Sequence, residues 1–256
     1  MTKEKLPWII LSFGKNNDLF KPVIKNLFKN GDMSLFDVYW LTTNNNKAKI
    51  QTEDYPVNIL CVDNADWKRE ITAQLQELSN VINGNYFILM LDDFIFHKPF
   101  NSRQIYQMAK EAEKRQLNYV RLKKEEKSIF NLVLKLYTAS FDNFKTINKS
   151  HPYYSSLQLS VWDLQYIETI IERSKNIWDF ETIKTDYRHY LCDLRLPYSH
   201  ILERGELFPW AIKYIGSEDF KFLKDIYPVK KVTFTELILR KVKFKIFGYI
   251  NMLRQR

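Results

Sequence analysis

The chain has 256 residues, with 39 Lys and Arg against 30 Asp and Glu and a formal net charge of +9. It holds only six glycines and contains no G-x-x-x-x-G-K-[ST], G-x-G-x-x-G or G-x-S-x-G, which removes the usual phosphate-loop, dinucleotide and serine-hydrolase signatures. Two cysteines and four scattered histidines without an H-E-x-x-H exclude a disulfide framework and the common zinc sites.

In chain order, Pro7 to Phe13 reads as a buried strand that breaks at Gly14-Lys15-Asn16-Asn17-Asp18. Leu19 to Asn30 has helical spacing, with Pro22 in its first turn, where a missing N–H costs little. Phe36 to Leu41 and Val57 to Val62 are further strands, and the second ends at Asp63-Asn64-Ala65-Asp66. Trp67 to Val81 is amphipathic and closes at Asn83-Gly84-Asn85. The apolar run from Tyr86 to Leu91 is too short for a bilayer and suits a strand covered on both faces. Asp92 and Asp93 follow it at once. A helix over Arg103 to Arg115, a strand over Tyr119 to Leu122, a charged turn from Lys123 to Lys127 and a strand over Ile129 to Tyr137 complete an alternating βαβ pattern. That pattern predicts an α/β fold with a mostly parallel sheet flanked by helices.

Ligands of open α/β sheets bind beyond the carboxyl ends of the strands. Asp92 and Asp93 lie there, and paired carboxylates suit a hard cation such as Mg2+. The loop from Ser12 to Asp18 occupies the same end and is a candidate for holding a base or ribose.

After about Phe141 the pattern changes, which divides residues 1–140 from 141–228. Tyr153 to Trp162 is aromatic and polar at once, Leu164 to Ile171 is a short helix, and Thr182 to Leu191 has helical character. Pro197 to Leu202 and Ala211 to Ile215 read as short strands and turns. Tyr153, Tyr154, Gln158, Trp162, Trp178 and Trp210 are the types that stack on a sugar ring or bond its hydroxyls, although any single ring is more often core.

From Val229 onward, Lys230, Lys231, Arg240, Lys241, Lys243, Lys245, Arg254 and Arg256 stand against Glu236 alone. Thr235 to Arg254 carries one apolar helical stripe, so residues 229–256 read as a basic amphipathic helix that meets a membrane surface, a partner, or its own domain. With no leader-like segment behind Met1 and no spanning run, a cytoplasmic chain, peripheral on the inner membrane face, is expected.

Taken together, Ser12 to Pro22, Asp63 with Trp67, Phe87 to Leu91 with Asp92-Asp93-Phe94, and Leu157 to Trp162 with Asn176 to Glu181 resemble bacterial glycosyltransferases of the GT-A (Rossmann-like) fold, of the kind that build capsular polysaccharide or lipopolysaccharide. The resemblance spans Pro7 to Ile215. It implies a nucleotide-sugar donor lying on Ser12, Phe13, Gly14, Lys15, Asp18, Asp63, Trp67, Arg69 and Asp92, with Lys15 and Arg69 as diphosphate partners. It implies a divalent cation, Mn2+ or Mg2+, at a D-x-D-type motif. Here that motif is Leu91-Asp92-Asp93, which lacks the first Asp and makes Asp93 the main ligand beside Asp92. Tyr154, Gln158, Trp162 and Trp178 would meet a glycan or lipid-linked acceptor. Glu181 is the candidate general base and Asp179 the second, and His200 is a late metal or phosphate contact. Two other classes compete. A nucleic-acid-binding protein lacks its aromatic signature and has its charge confined to one helix. A non-catalytic assembly protein on the same fold is motivated by the missing first Asp.

Overall fold

The computed structural model describes residues 4–12, 16–43, 54–63, 65–123, 137–141, 143–151 and 153–231. The expected Lys123–Lys127 turn, most of the Ile129–Tyr137 strand and the helix over Thr235 to Arg254 lie outside them, as do Phe13, Gly14 and Lys15.

All six residues of Leu6–Leu11 (β1) are buried, because the strand sits inside the sheet with helices over both faces. Phe36–Thr43 (β2) and Tyr86–Leu91 (β4) flank it, both parallel, and Val57–Val62 (β3) runs parallel outside β2. Alternate side chains of β1 enter different cores. Trp8 and Ile10 pack with Phe20–Asn30 (α1) and Ser102–Lys114 (α3), through Val23, Ile24, Leu27, Ile105 and Ala109. Ile9 and Leu11 pack with Trp67–Val81 (α2) and Leu164–Arg173 (α4), through Ile71, Leu75, Leu78, Ile167 and Ile170. The helices begin where side chains satisfy their free N–H groups: Asp66 caps α2, Asn101 caps α3 and Asp163 caps α4.

The second half of the chain completes the same sheet. Ser160–Asp163 (β9) inserts antiparallel between β4 and Tyr119–Leu122 (β6). His189–Cys192 (β10) then runs parallel to β6, and Phe144–Ile147 (β8) and Tyr137–Phe141 (β7) add antiparallel beyond it. The nine strands are ordered β3-β2-β1-β4-β9-β6-β10-β8-β7. The expected α/β class, with a mostly parallel sheet flanked by helices, is what forms. The change of pattern near Phe141 does not separate two sheets, since β9 and β10 sit inside the one that the first half begins.

Two local expectations are corrected. Thr182 to Leu191 is not a helix: Ile177–Thr182 (α5) ends at its first residue, and β10 occupies its last three. Ala211 to Ile215 is not a strand, because a turn over Pro209–Ala211 runs into the helix Ile212–Ile215 (α6). Proline at the start of a helical turn loses no bond, and Gly216, at φ 89°, closes α6 before Ser217–Ile226 (α7). Among the described residues no helix is long and apolar enough to cross a membrane.

Candidate functional site

The carboxyl ends of β1 and β4 lie side by side, and the Asp92 N–H donates to the Leu11 carbonyl at 3.2 Å. Asp92 and Asp93 form the turn that follows β4, and their side chains meet different partners. Asp92 turns inward and is 4% exposed. The Ser12 hydroxyl lies 2.8 Å from Asp92 Oδ2 and 3.4 Å from Asn17 Oδ1. The shorter contact takes the Ser12 proton, so the hydroxyl donates to Asp92. Burial, then the charge of Asp93, pushes the Asp92 carboxyl well above the usual carboxylate range, and the Ser12 and Asn16 hydrogen bonds offset part of that rise. Asn16 Nδ2 approaches Asp92 Oδ1 at 3.4 Å, Thr42 donates to Asn17 Oδ1 at 2.7 Å, and Gln74 Nε2 donates to the Ser12 carbonyl at 3.3 Å. Asn17 Nδ2 and Gln74 Oε1 are buried without a partner.

Asp93 turns outward. Its Oδ2 lies 3.0 Å from His200 Nδ1, while its Oδ1 is buried with no hydrogen-bond partner. The pairing follows from a two-stranded ribbon, in which Phe94–Phe96 (β5) runs antiparallel to Tyr198–His200 (β11) with Phe94 opposite His200. The Ile201 N–H donates to the Asp93 carbonyl at 2.8 Å, and the His200 ring lies against Phe94 at 4.2 Å. A carboxylate and an imidazole, with one carboxylate oxygen unspent, fit a divalent transition metal such as Mn2+. Among the described residues no three His, Cys, Asp or Glu form a closed metal cluster, so remaining ligands would come from substrate and water.

Glu181 lies on α5, against the Ser156–Leu157 backbone. Its Oε1 accepts from the Leu157 N–H at 3.3 Å and the Ser156 hydroxyl at 3.4 Å. Burial raises its pKa above the ordinary carboxylate value, and the Leu157 N–H, Arg121 and His200 offset part of that rise. Arg121 is 4% exposed. It donates Nε to the Tyr119 hydroxyl at 3.1 Å and Nη2 to the carbonyls of Tyr153 and Tyr154, which ties β6 to the Tyr153–Leu157 segment. Sequence reasoning passed over Arg121; the available signal was a cation inside the apolar run Tyr119-Val120-Arg121-Leu122.

The other expected site residues divide. Gln158 keeps a buried Oε1 without a partner, and Trp178 is 66% exposed. Trp162 and Tyr154 are corrected: neither has a face for an acceptor. Trp162 is fully buried among core rings with its indole N–H on Ser160 Oγ at 2.8 Å, and Tyr154 stacks on His189 at 4.0 Å. The Asp179 carboxylate accepts the Lys175 N–H at 2.9 Å, which commits it to the start of α5. Asp18 sits half-buried in a single 3-10 turn. Asp63 is exposed at the end of β3, Trp67 packs edge-on against Phe180 at 6.2 Å, and Arg69 pairs with Asp66 at 3.4 Å in solvent.

No family model matches the chain, and no curated protein does. Among solved structures it is similar to the mannosyltransferase PcManGT of Pyrobaculum calidifontis in complex with GDP-Man and Mn2+, at 11% identity and TM-score 0.49 over 82% of this chain and 61% of that one. It is also similar to TarS 1-349 of S. aureus, at 11% identity and TM-score 0.45 over 76% of this chain and 59% of that one. A UDP-glucose pyrophosphorylase complexed with UDP-glucose is similar at 12% identity and TM-score 0.44 over 76% and 92%.

Proposed function

We propose that the protein is a glycosyltransferase that moves a sugar from a nucleotide-sugar donor to a surface-polysaccharide or lipid-linked glycan acceptor. The observation that carries this is Asp93 Oδ1, a buried carboxylate oxygen with no partner, beside His200. Leaving such an acceptor bare costs about 1–3 kcal/mol, a cost that ligand binding removes. A divalent cation held by Asp93 and His200 would neutralise charge on the departing diphosphate.

The chain's own groups supply the rest. Asp92 and Asn16 present polar edges to a ribose at the β1 end. Glu181, raised in pKa by burial, takes the proton from the acceptor hydroxyl as that oxygen attacks the sugar. Trp178 and Gln158 flank the acceptor side. Residues 229–256 attach the domain of residues 1–228 to the cytoplasmic membrane face, a reading that rests on their basic amphipathic pattern.

The test is thermal stability against a panel of nucleoside diphosphates, with and without Mn2+. A ligand at about 100 times its dissociation constant adds roughly 2.7 kcal/mol. One nucleotide should stabilise the protein in a metal-dependent way, and Asp93→Asn should abolish the metal dependence while the unliganded melt stays cooperative. A panel that shifts nothing overturns the proposal.

A further inference from the structure

The far end of the sheet carries a second polar cavity. β4 runs its full length between this end and Asp92, so the two are separated by about 20 Å at 3.3 Å per strand residue. Antiparallel β9 ends here between the starts of β4 and β6. Its exit is clamped on both sides: the Asp163 N–H donates to the Asn118 carbonyl at 3.0 Å and the Leu164 N–H to the Asn85 carbonyl at 2.7 Å. The side chains around this clamp line an open cavity of about 390 Å³. That is near the small end of the range for ligand sites, about 300–1,000 Å³.

The lining chemistry is narrow. Four carboxamides, Asn85, Gln116, Asn118 and Gln165, converge on the cavity with Asp163 and three tyrosines. Among the described residues none of these carboxamides makes a side-chain hydrogen bond, so each brings an unspent donor pair and acceptor. No cation and no aliphatic side chain lines the space. Tyr86 stands opposite Asp163 in the ladder, and Tyr187, 49% exposed, packs edge-on against Tyr166 at 4.9 Å. Gln116 is held at φ 54°, where a non-glycine residue costs on the order of 1 kcal/mol. This conformation follows the end of α3 and carries the Gln116 amide into the cavity wall.

We infer that this cavity is a binding site for a neutral saccharide, remote from the catalytic cleft. Amides with paired donors and acceptors match vicinal hydroxyls, the Asp163 oxygen not engaged by the Tyr166 N–H accepts another, and the exposed Tyr187 ring offers a face to the C–H surface of a sugar. A phosphate or nucleotide finds no counter-charge there, and one carboxylate is too few for a hard cation. An apolar ligand would leave four amides buried and unpaired. The assignment stands on the cavity alone and does not need the transfer reaction.

The experiment uses the full chain labelled with 15N and titrated with glucose, galactose, mannose, N-acetylglucosamine, maltose and lactose. Side-chain amide signals of Asn and Gln report the cavity directly. At least one sugar should move the Asn85, Asn118 and Gln165 amides in a saturable way. Asn118→Ala should then weaken binding at least tenfold, about 1.4 kcal/mol, and so should Gln165→Ala, an exposed side chain whose removal leaves the fold intact. Asp93→Asn should leave the affinity unchanged. The inference is overturned if no sugar gives saturable shifts, if the shifts appear only around Asp93 and Glu181, or if glucose 1-phosphate binds more tightly than glucose.

Discussion

Acid should destabilise this protein through a single buried imidazole. His189 on β10 is fully buried, stacked on Tyr154, with Nδ1 2.9 Å from the Tyr154 carbonyl and Nε2 facing the Tyr166 hydroxyl. The carbonyl fixes the proton on Nδ1, and the hydroxyl donates to Nε2, so both nitrogens are satisfied in the neutral ring. Burial, reinforced by Arg121, Lys184 and Lys149, lowers its pKa from 6.5 to about 3. The unfolded chain takes up the proton below 6.5 while the native state refuses it until about 3. The unfolded state therefore binds more protons in that window, and stability is lost as pH falls through it. At about 1.4 kcal/mol per unit, the His189 contribution lost between pH 6.5 and pH 5 is roughly 2 kcal/mol.

Other groups titrate in the same range. His151 acts in the same direction, whereas the raised carboxylates Asp92, Asp163 and Glu181 act in the opposite one. A difference between two proteins isolates His189. In His189→Asn the side-chain amide keeps the bond to the Tyr154 carbonyl and cannot titrate. Urea unfolding of both proteins at pH 7.5 and pH 5 gives two stability losses. The wild-type loss should exceed that of the variant by roughly 2 kcal/mol, whatever constant penalty the smaller side chain adds. Losses that agree within about 0.5 kcal/mol, the usual noise for a single site, would mean that His189 is not held neutral.

Two further changes test the site and the packing. Glu181→Gln should lower transfer by about 10²- to 10⁴-fold with donor binding unchanged, and the acid limb of the wild-type rate should lie above the ordinary carboxylate range because burial raises Glu181; activity within threefold of wild type removes Glu181 as the base. Gly31→Ala should cost about 1–3 kcal/mol in urea unfolding, since its Cβ would fall 2.2 Å from the Phe100 ring, which is wedged against Phe96 at 4.1 Å and Trp8 at 6.1 Å; an unchanged midpoint means that the ring swings clear.

The parallel half of the fold was legible because its signals are local. Strands buried on both faces are apolar at nearly every position, and β1 and β4 announce themselves that way. The later half depends on contacts that no short window contains. β9 is four residues long, and its place between β4 and β6 is set by long-range pairing. Period 2 in that strand sends Trp162 into one core and Val161 into the other, which a reading of aromatic content as pocket could not foresee. His189-Tyr190-Leu191-Cys192 is equally short, and the preceding helix masked it. Ala211 to Ile215 alternates like a strand, yet Pro209 and Gly216 bracket a helical turn.

The site shows the same limit at the scale of two residues. The sequence places Asp92 and Asp93 together at a strand end, and chemistry alone treats them as a pair. The turn after β4 gives them different partners. Asp92 falls into a floor of Ser12, Asn16 and Asn17, where desolvation raises its pKa and the Ser12 and Asn16 donors offset part of the rise. Asp93 meets His200, a residue brought from 107 positions away by a three-residue ribbon. Like charges close together raise each other's cost, and Asp93 in this way adds to the rise that burial imposes on Asp92. The inner carboxylate is spent on Ser12 and Asn16, whereas the outer one keeps Oδ1 without a partner beside His200, so the spare ligand capacity of the two lies on Asp93.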